Sequence, residues 1–253
     1  MYKNIKKLYA LLIKNKVFNQ NINLFLHPYR EVNVHIPKLD LVYISISKTG
    51  ISSIRSILLD RVGIEHNKEE YVYVHIKTGQ HFQYIPLKEI VNNKSAFKFS
   101  FVRNPFDRLV SCYKNKLLDE DYPPIQNYYG PLFYKGMSFE KFIKNVCFLP
   151  DLLSDRHFRS QYSYLYFKGE LVVDFLGKFE SLNEDFNAIK KRYDLGDLPH
   201  INSSKDKKKY QDYYTPELVT LVYKRYKNDI EKFNYQTEYQ ALKEYVENLN
   251  SCS

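Results

Sequence analysis

The chain has 253 residues, enough at roughly 150 per domain for one or two domains with a sizeable core. It is 44% hydrophobic and 26% charged, with 24 Tyr and 17 Phe, which excludes a mainly disordered protein. Lys and Arg number 38 against 29 Asp and Glu, a net charge of +9, and that surplus favours polyanions, anionic membranes or a phosphorylated or sulfated ligand.

The first 30 residues carry Lys3, Lys6, Lys7, Lys14, Lys16 and Arg30 with no Asp or Glu. Within them Ile5, Leu8, Tyr9, Leu12 and Ile13 recur at helical spacing, predicting a basic amphipathic helix that docks on its own domain or, as the alternative, on a membrane or partner surface. The apolar run 8–13 is shorter than a signal-peptide core and far below the ~20 residues of a membrane span. Cys112, Cys147 and Cys252 lack CxxC or Cys/His spacing, which argues against a disulfide scaffold and a zinc site. The resulting expectation is a soluble cytoplasmic protein.

Further along, LVYISI (41–46) reads as a strand, SKTGISS as a tight loop, and Ile54, Ile57 and Leu58 as the face of a helix. A second strand, AFKFSFV (96–102), runs into RNPF, where Asn104 caps a helix, Pro105 fits its first position and Asp107 completes a capping box. Phe106, Leu109, Val110 and Tyr113 form its buried stripe. Ser138 opens a helix with Phe139, Phe142, Ile143 and Val146 inward, and LVVDFLGKFE supplies a strand pair or one long strand. Ser181 and Glu184 make a second capping-box signature, NSSKDKKKYQDYY reads as a lysine-rich loop, Thr215 and Pro216 start a helix, and Thr237 precedes a last one. Strand-to-helix units repeated in this way predict an α/β fold with a central parallel sheet flanked by helices. The expected division is a basic helical arm over 1–38 and one domain over 39–253.

Two segments are equipped for chemistry. Residues 47–53 place a lysine, a glycine and serines between a strand and a helix N-terminus, where unsatisfied N–H groups and the helix dipole attract anions. Lys48 precedes the glycine, so GxxxxGK[ST] is absent. This speaks against a nucleotide kinase with a degenerate P-loop, and a plain strand-to-helix turn is the bland alternative. In FVRNPFDRLVSCY (101–113), Arg103 ends a strand at the mouth of the sheet and Ser111 lies off the buried stripe. Otherwise Arg103 and Arg108 are solvated charges.

Taken together, ISKTGISSIR and FSFVRNPFDRLVSCY resemble the PAPS-dependent sulfotransferase superfamily, above all its carbohydrate branch (heparan, dermatan and chondroitin type) and related bacterial enzymes. DRHFRSQYSYL, VDFLGKFESLNEDF, LPHINSS and DYYTPELVTLVYKRYKNDIEKFNY resemble downstream blocks, so the likeness covers roughly residues 40–235. It implies a P-loop-like sulfotransferase fold in a single domain and PAPS as co-substrate without a metal. Lys48, Thr49, Gly50, Ile51, Ser52 and Ser53 are implied to bind the 5′-phosphosulfate, and Arg103 and Ser111, eight residues apart, the 3′-phosphate. Lys205 and Tyr210 match a late loop that closes over the nucleotide. The chain departs from the usual pattern at Ser47, where the family has proline, and at Ile51, where it has a small residue.

Lys48 is thereby implied to neutralise the departing phosphate, and a histidine suits the role of base toward an acceptor hydroxyl. His75 and His81 lie between the phosphate motifs, and the resemblance favours His81. His157 is a third candidate, implied to be structural or substrate-facing. Glu180 is either an acid for a sugar enzyme or a carboxylate paired with Lys178 or Arg192. The expected acceptor is a hydroxyl of a polysaccharide or glycolipid, possibly acidic, with no nucleic acid as partner. A noncatalytic polyanion-binding module is the alternative.

Overall fold

A computed structural model describes residues 33–64, 83–85, 87–119, 132–151, 154–199 and 208–251. The expected N-terminal helix, His75, His81 and Lys205 lie outside the described residues. Strands β1 (Val34–Ile36), β2 (Leu41–Ile44), β3 (Gln83–Tyr84), β4 (Phe97–Val102) and β7 (Phe175–Lys178) form one sheet in the order β3-β1-β2-β4-β7. β2, β4 and β7 run parallel, while β1 pairs antiparallel with both β2 and β3. The sheet is therefore parallel at its centre and mixed at one edge, because β1 reaches β2 through a single turn of 3-10 helix, Pro37–Leu39, too short for a parallel crossover. It also begins at Val34, ahead of the expected boundary at residue 39.

Helices cover both faces: α1 (Ile51–Arg61), α2 (Leu87–Asn92), α3 (Pro105–Tyr113), α4 (Phe139–Phe148), α5 (Tyr162–Leu165), α6 (Leu182–Tyr193), α7 (Pro216–Arg225), α8 (Lys227–Lys232) and α9 (Gln236–Ser251). Strand alternation sorts the core. Leu41, Tyr43, Phe99 and Phe101 face Ile54, Leu58, Phe186 and Ile189 of α1 and α6. Val42, Ile44 and Val102 face the layer built by α3, α4, α7 and α9. Both faces of β2 are buried, which is why its sequence is apolar without interruption. β4 and β7 approach so closely at Gly177 that a Cβ there would sit 2.3 Å from the Phe101 ring.

Local signals act largely as read. The side chain of Asn104 accepts from Phe106 N at 3.0 Å, that of Ser138 from Lys141 N at 3.3 Å, and that of Thr215 from Leu218 N at 3.4 Å. The Ser181–Glu184 capping box does not form. A 3-10 turn, Phe179–Ser181, runs directly into α6, and the Ser181 hydroxyl instead donates to Asp185 Oδ2 at 2.9 Å. The segment after Gly169 splits into β6 (Glu170–Leu171), which pairs with β5 (Tyr166–Phe167) in a separate hairpin, and β7. The lysine-rich loop ends in a 3-10 turn, Tyr210–Tyr213.

Candidate functional site

The parallel strands deliver three chain segments to one edge of the sheet: residues 45–50 after β2, Arg103 and Asn104 after β4, and Glu180 after β7. This carboxyl edge is where open α/β sheets bind ligands. Lys48 and Gly50 both adopt left-handed backbone, φ 72° and 85°. Gly50 is the N-cap of α1, and a side chain there would place its Cβ 2.8 Å from Leu182. No side chain caps α1, so the N–H groups of its first turn face the loop without helical partners.

Two of the expected hydroxyl donors are committed elsewhere. Thr49, fully buried, donates to Ile46 O at 2.8 Å, and Ser53 donates to Pro199 O at 2.9 Å. Both hydroxyls thereby shape the turn. Burial pushes the Lys48 ammonium down to about 8, and Arg103, Lys116 and Arg108 press the same way. The nearby Cys112 thiol is pushed up to about 12 by burial and is therefore neutral. Among the described residues no carboxylate pairs with Lys48.

Arg103 is held from every side. Its Nε and Nη2 reach Asp107 Oδ2, both at 2.8 Å, its Nη1 donates to Lys48 O at 3.0 Å, and the guanidinium lies 4.3 Å from the centre of the Phe179 ring. A guanidinium has five N–H donors, so part of the Nη edge is still available to an anion. The backbone is clamped as well, because Gln161 accepts from Arg103 N at 2.9 Å and donates to Arg103 O at 2.8 Å. Gln161 N and Tyr162 N in turn donate to the two oxygens of buried Asp229, each at 2.8 Å. Ser111 lies in α3 four residues beyond Asp107, half-buried and on the same side of the helix. Tyr210 OH accepts from Asn104 Nδ2 at 3.2 Å, which brings the late loop's flank to the same turn.

Glu180 pairs with neither Lys178 nor Arg192. It accepts from Asn104 N at 2.7 Å and from Tyr235 OH at 3.0 Å, fixing the turn after β4. Arg108 is not a solvated charge either: 1% exposed, it donates to Ser47 O at 2.9 Å, Arg159 O at 2.7 Å and Arg156 O at 3.2 Å. One guanidinium thus ties the loop after β2 to the turn 155–159. Arg108, Gln161 and Asp229 escaped the sequence reading because their partners are backbone groups, which carry no residue signature.

The sulfotransferase family model matches residues 34–236. Human carbohydrate sulfotransferase 9 is 26% identical over 239 residues, covering 80% of this chain and 52% of that protein. Rat carbohydrate sulfotransferase 11 is 25% identical over 235 residues, covering 78% and 64%, and mouse carbohydrate sulfotransferase 8 is 24% identical over 238, covering 80% and 56%. The chain thus spans between about half and just under two thirds of the length of these relatives. No solved structure matches. The expected cytoplasmic location is overturned by the likeness to these carbohydrate sulfotransferases. Among the described residues no helix is long and apolar enough to cross a membrane. With four fifths of its length matched by one family model, and with the model's span taking in the loop after β2 and the turn after β4, the chain belongs to the sulfotransferase family.

Proposed function

We propose that this protein transfers a sulfuryl group from PAPS to a hydroxyl of a carbohydrate. The observation that carries the reading is Lys48, an ammonium without a carboxylate partner among the described residues, beside the uncapped N-terminus of α1 and next to Arg103. Such a site is short of negative charge, and a nucleotide with phosphates at both ends of its ribose supplies it. Lys48, Ser52 and the N–H groups around Gly50 hold the 5′-phosphosulfate. The free Nη edge of Arg103 takes the 3′-phosphate with Ser111, and Tyr210 and Lys205 close over the nucleotide.

Sulfuryl transfer between two oxygens depends on alignment and charge stabilisation. The acceptor oxygen attacks sulfur, the sulfur–oxygen bond to the 5′-phosphate breaks, and the electron pair leaves on PAP beside Lys48. A histidine takes the acceptor proton. Sequence resemblance favours His81 for that role. The charge surplus of the chain suits an acidic acceptor. A noncatalytic polyanion binder is less favoured, because it needs exposed cations and has no use for a lysine sunk in a loop behind a helix N-terminus.

The test is thermal stabilisation by PAP against 5′-AMP, which lacks the 3′-phosphate. A ligand at 100 times its Kd adds about 2.7 kcal/mol, roughly 5–10 °C for a domain of this size. PAP is expected to exceed 5′-AMP clearly in the wild type, and Arg103→Ala to abolish the difference. Equal shifts with the two nucleotides overturn the reading.

A further inference from the structure

The turn that Arg108 ties to the loop after β2 contains an acid–imidazole pair. Asp155 Oδ1 accepts from His157 N at 2.8 Å and stands 2.6 Å from His157 Nδ1. The two side chains are 9% and 14% exposed. Burial of Asp155 opposes its charge, but the bonds from His157 outweigh it and the carboxyl stays ionised. A carboxylate at Nδ1 fixes the proton there and leaves the lone pair on Nε2. Among the described residues Nε2 has no hydrogen-bond partner.

The pair is rigid. Phe158 N and Arg159 N both donate to Asp155 O, at 3.1 and 2.9 Å. Tyr164 OH donates to Arg156 O at 3.3 Å, Tyr226 OH donates to Phe158 O, and Arg159 Nη2 donates to Ser154 O at 2.9 Å. Because Ser47 O, Arg156 O and Arg159 O all bond one guanidinium, the residue before Lys48 and the residues flanking His157 lie within a few ångströms of one another. The buried Cys112 thiol of α3 also feels both Lys48 and Asp155.

We propose that His157 Nε2 is the base for the acceptor hydroxyl, with Asp155 as its positioning residue. The inference rests on the sulfuryl-transfer reading and moves the role from His81 to His157. In the step, the acceptor O–H proton passes to Nε2 as the acceptor oxygen bonds to sulfur. The sulfur–oxygen bond to the 5′-phosphate breaks, its electron pair stays on PAP, and the imidazolium, held by Asp155, later releases the proton to water. The charged groups acting on the ring are Asp155 and Arg156 from its own turn and Lys116 from the turn of π-helix after α3. In the free protein burial pushes the imidazole down to about 4, with Arg156 and Lys116 adding to the effect. The negative charge of the nucleotide offsets the cations, so donor binding strengthens the base where an acceptor is to be activated.

The test uses the full chain. In imidazole NMR, with the His157 signal identified by its loss in His157→Gln, the free protein shows a neutral ring protonated on Nδ1 at pH 6, and saturating PAP raises its titration point by about one pH unit. An unchanged titration point overturns the proposal. In PAPS turnover on a panel of desulfated polysaccharides, His157→Gln lowers kcat by about 100-fold or more while PAP affinity stays within about threefold, and Asp155→Asn lowers kcat less and shifts the pH profile. Wild-type turnover by His157→Gln with loss in His81→Gln refutes the assignment. Failure of the wild type to bind PAP instead removes the donor reading on which it rests.

Discussion

Replacing Arg108 by Met removes a buried guanidinium while keeping an unbranched apolar stem, and the structure sets the cost. Three carbonyls, Ser47 O, Arg159 O and Arg156 O, lose charge-assisted donors at 2.7–3.2 Å. Each such bond contributes about 1.5–3 kcal/mol with desolvation already counted, roughly 4–9 kcal/mol if the three were additive. Three bonds made by one guanidinium do not add in full, which leaves about 3–5 kcal/mol, the usual cost of breaking a buried charged contact. For a chain of this size that is a fall in Tm of roughly 6–20 °C. The loss falls on the loop before Lys48 and on the turn bearing His157, so PAP binding weakens as well. Differential scanning fluorimetry with and without PAP reads both effects. Arg108→Lys keeps the charge but not the three-way fork and recovers only part of each. A melt within about 2 °C of wild type, with unchanged PAP stabilisation, refutes the view that Arg108 couples the two segments.

Two other perturbations probe the same account. Gly50→Ala forces a left-handed residue to carry a Cβ 2.8 Å from Leu182 Cδ2, costing about 1–3 kcal/mol in stability and weakening PAP more than a surface Gly63→Ala, where a Cβ meets nothing within 4 Å. Equal effects of the two contradict the role of the N-cap. His157 supplies a pH signature. Its folded titration point is pushed below the ordinary 6.5 to about 4, so the unfolded chain binds a proton that the folded one refuses. Its contribution is fully present above pH 6.5 and is lost as pH falls toward 4, on the order of 3 kcal/mol. Buried Asp229, pushed up to about 6 by burial against the opposing N–H bonds, has the opposite sign. Comparing wild type with His157→Gln across pH 4.5–7.5 isolates the histidine, and parallel melting curves contradict it.

The central strands, the helix stripes and most caps are legible in the sequence, because each depends on neighbours within a few residues. Leu41–Ile44 is apolar on both faces because both are covered, and Asn104, Ser138 and Thr215 cap the helices they precede. The failures are tertiary. The antiparallel edge is set by how β1 turns into β2, and Ser181 answers to Asp185 rather than Glu184. The placement of Lys48, Gly50 and Arg103 just after two parallel strands was legible in the sequence. The commitment of the Thr49 and Ser53 hydroxyls to carbonyls was not, nor was the role of Glu180 in bracing Asn104 and Tyr235. A carbonyl looks the same in every residue, so the partners of Arg108 and Gln161 appear only once the chain is folded.

The most direct measurement is sulfuryl transfer itself: purified protein, PAPS carrying radioactive sulfur, and a panel of desulfated polysaccharides and glycolipids. Label is expected to pass to a carbohydrate in the wild type and to fall by two or more orders of magnitude in Lys48→Ala, with PAP released in equal amount. Tight PAP binding without label on any carbohydrate, or transfer undiminished in Lys48→Ala, contradicts the account.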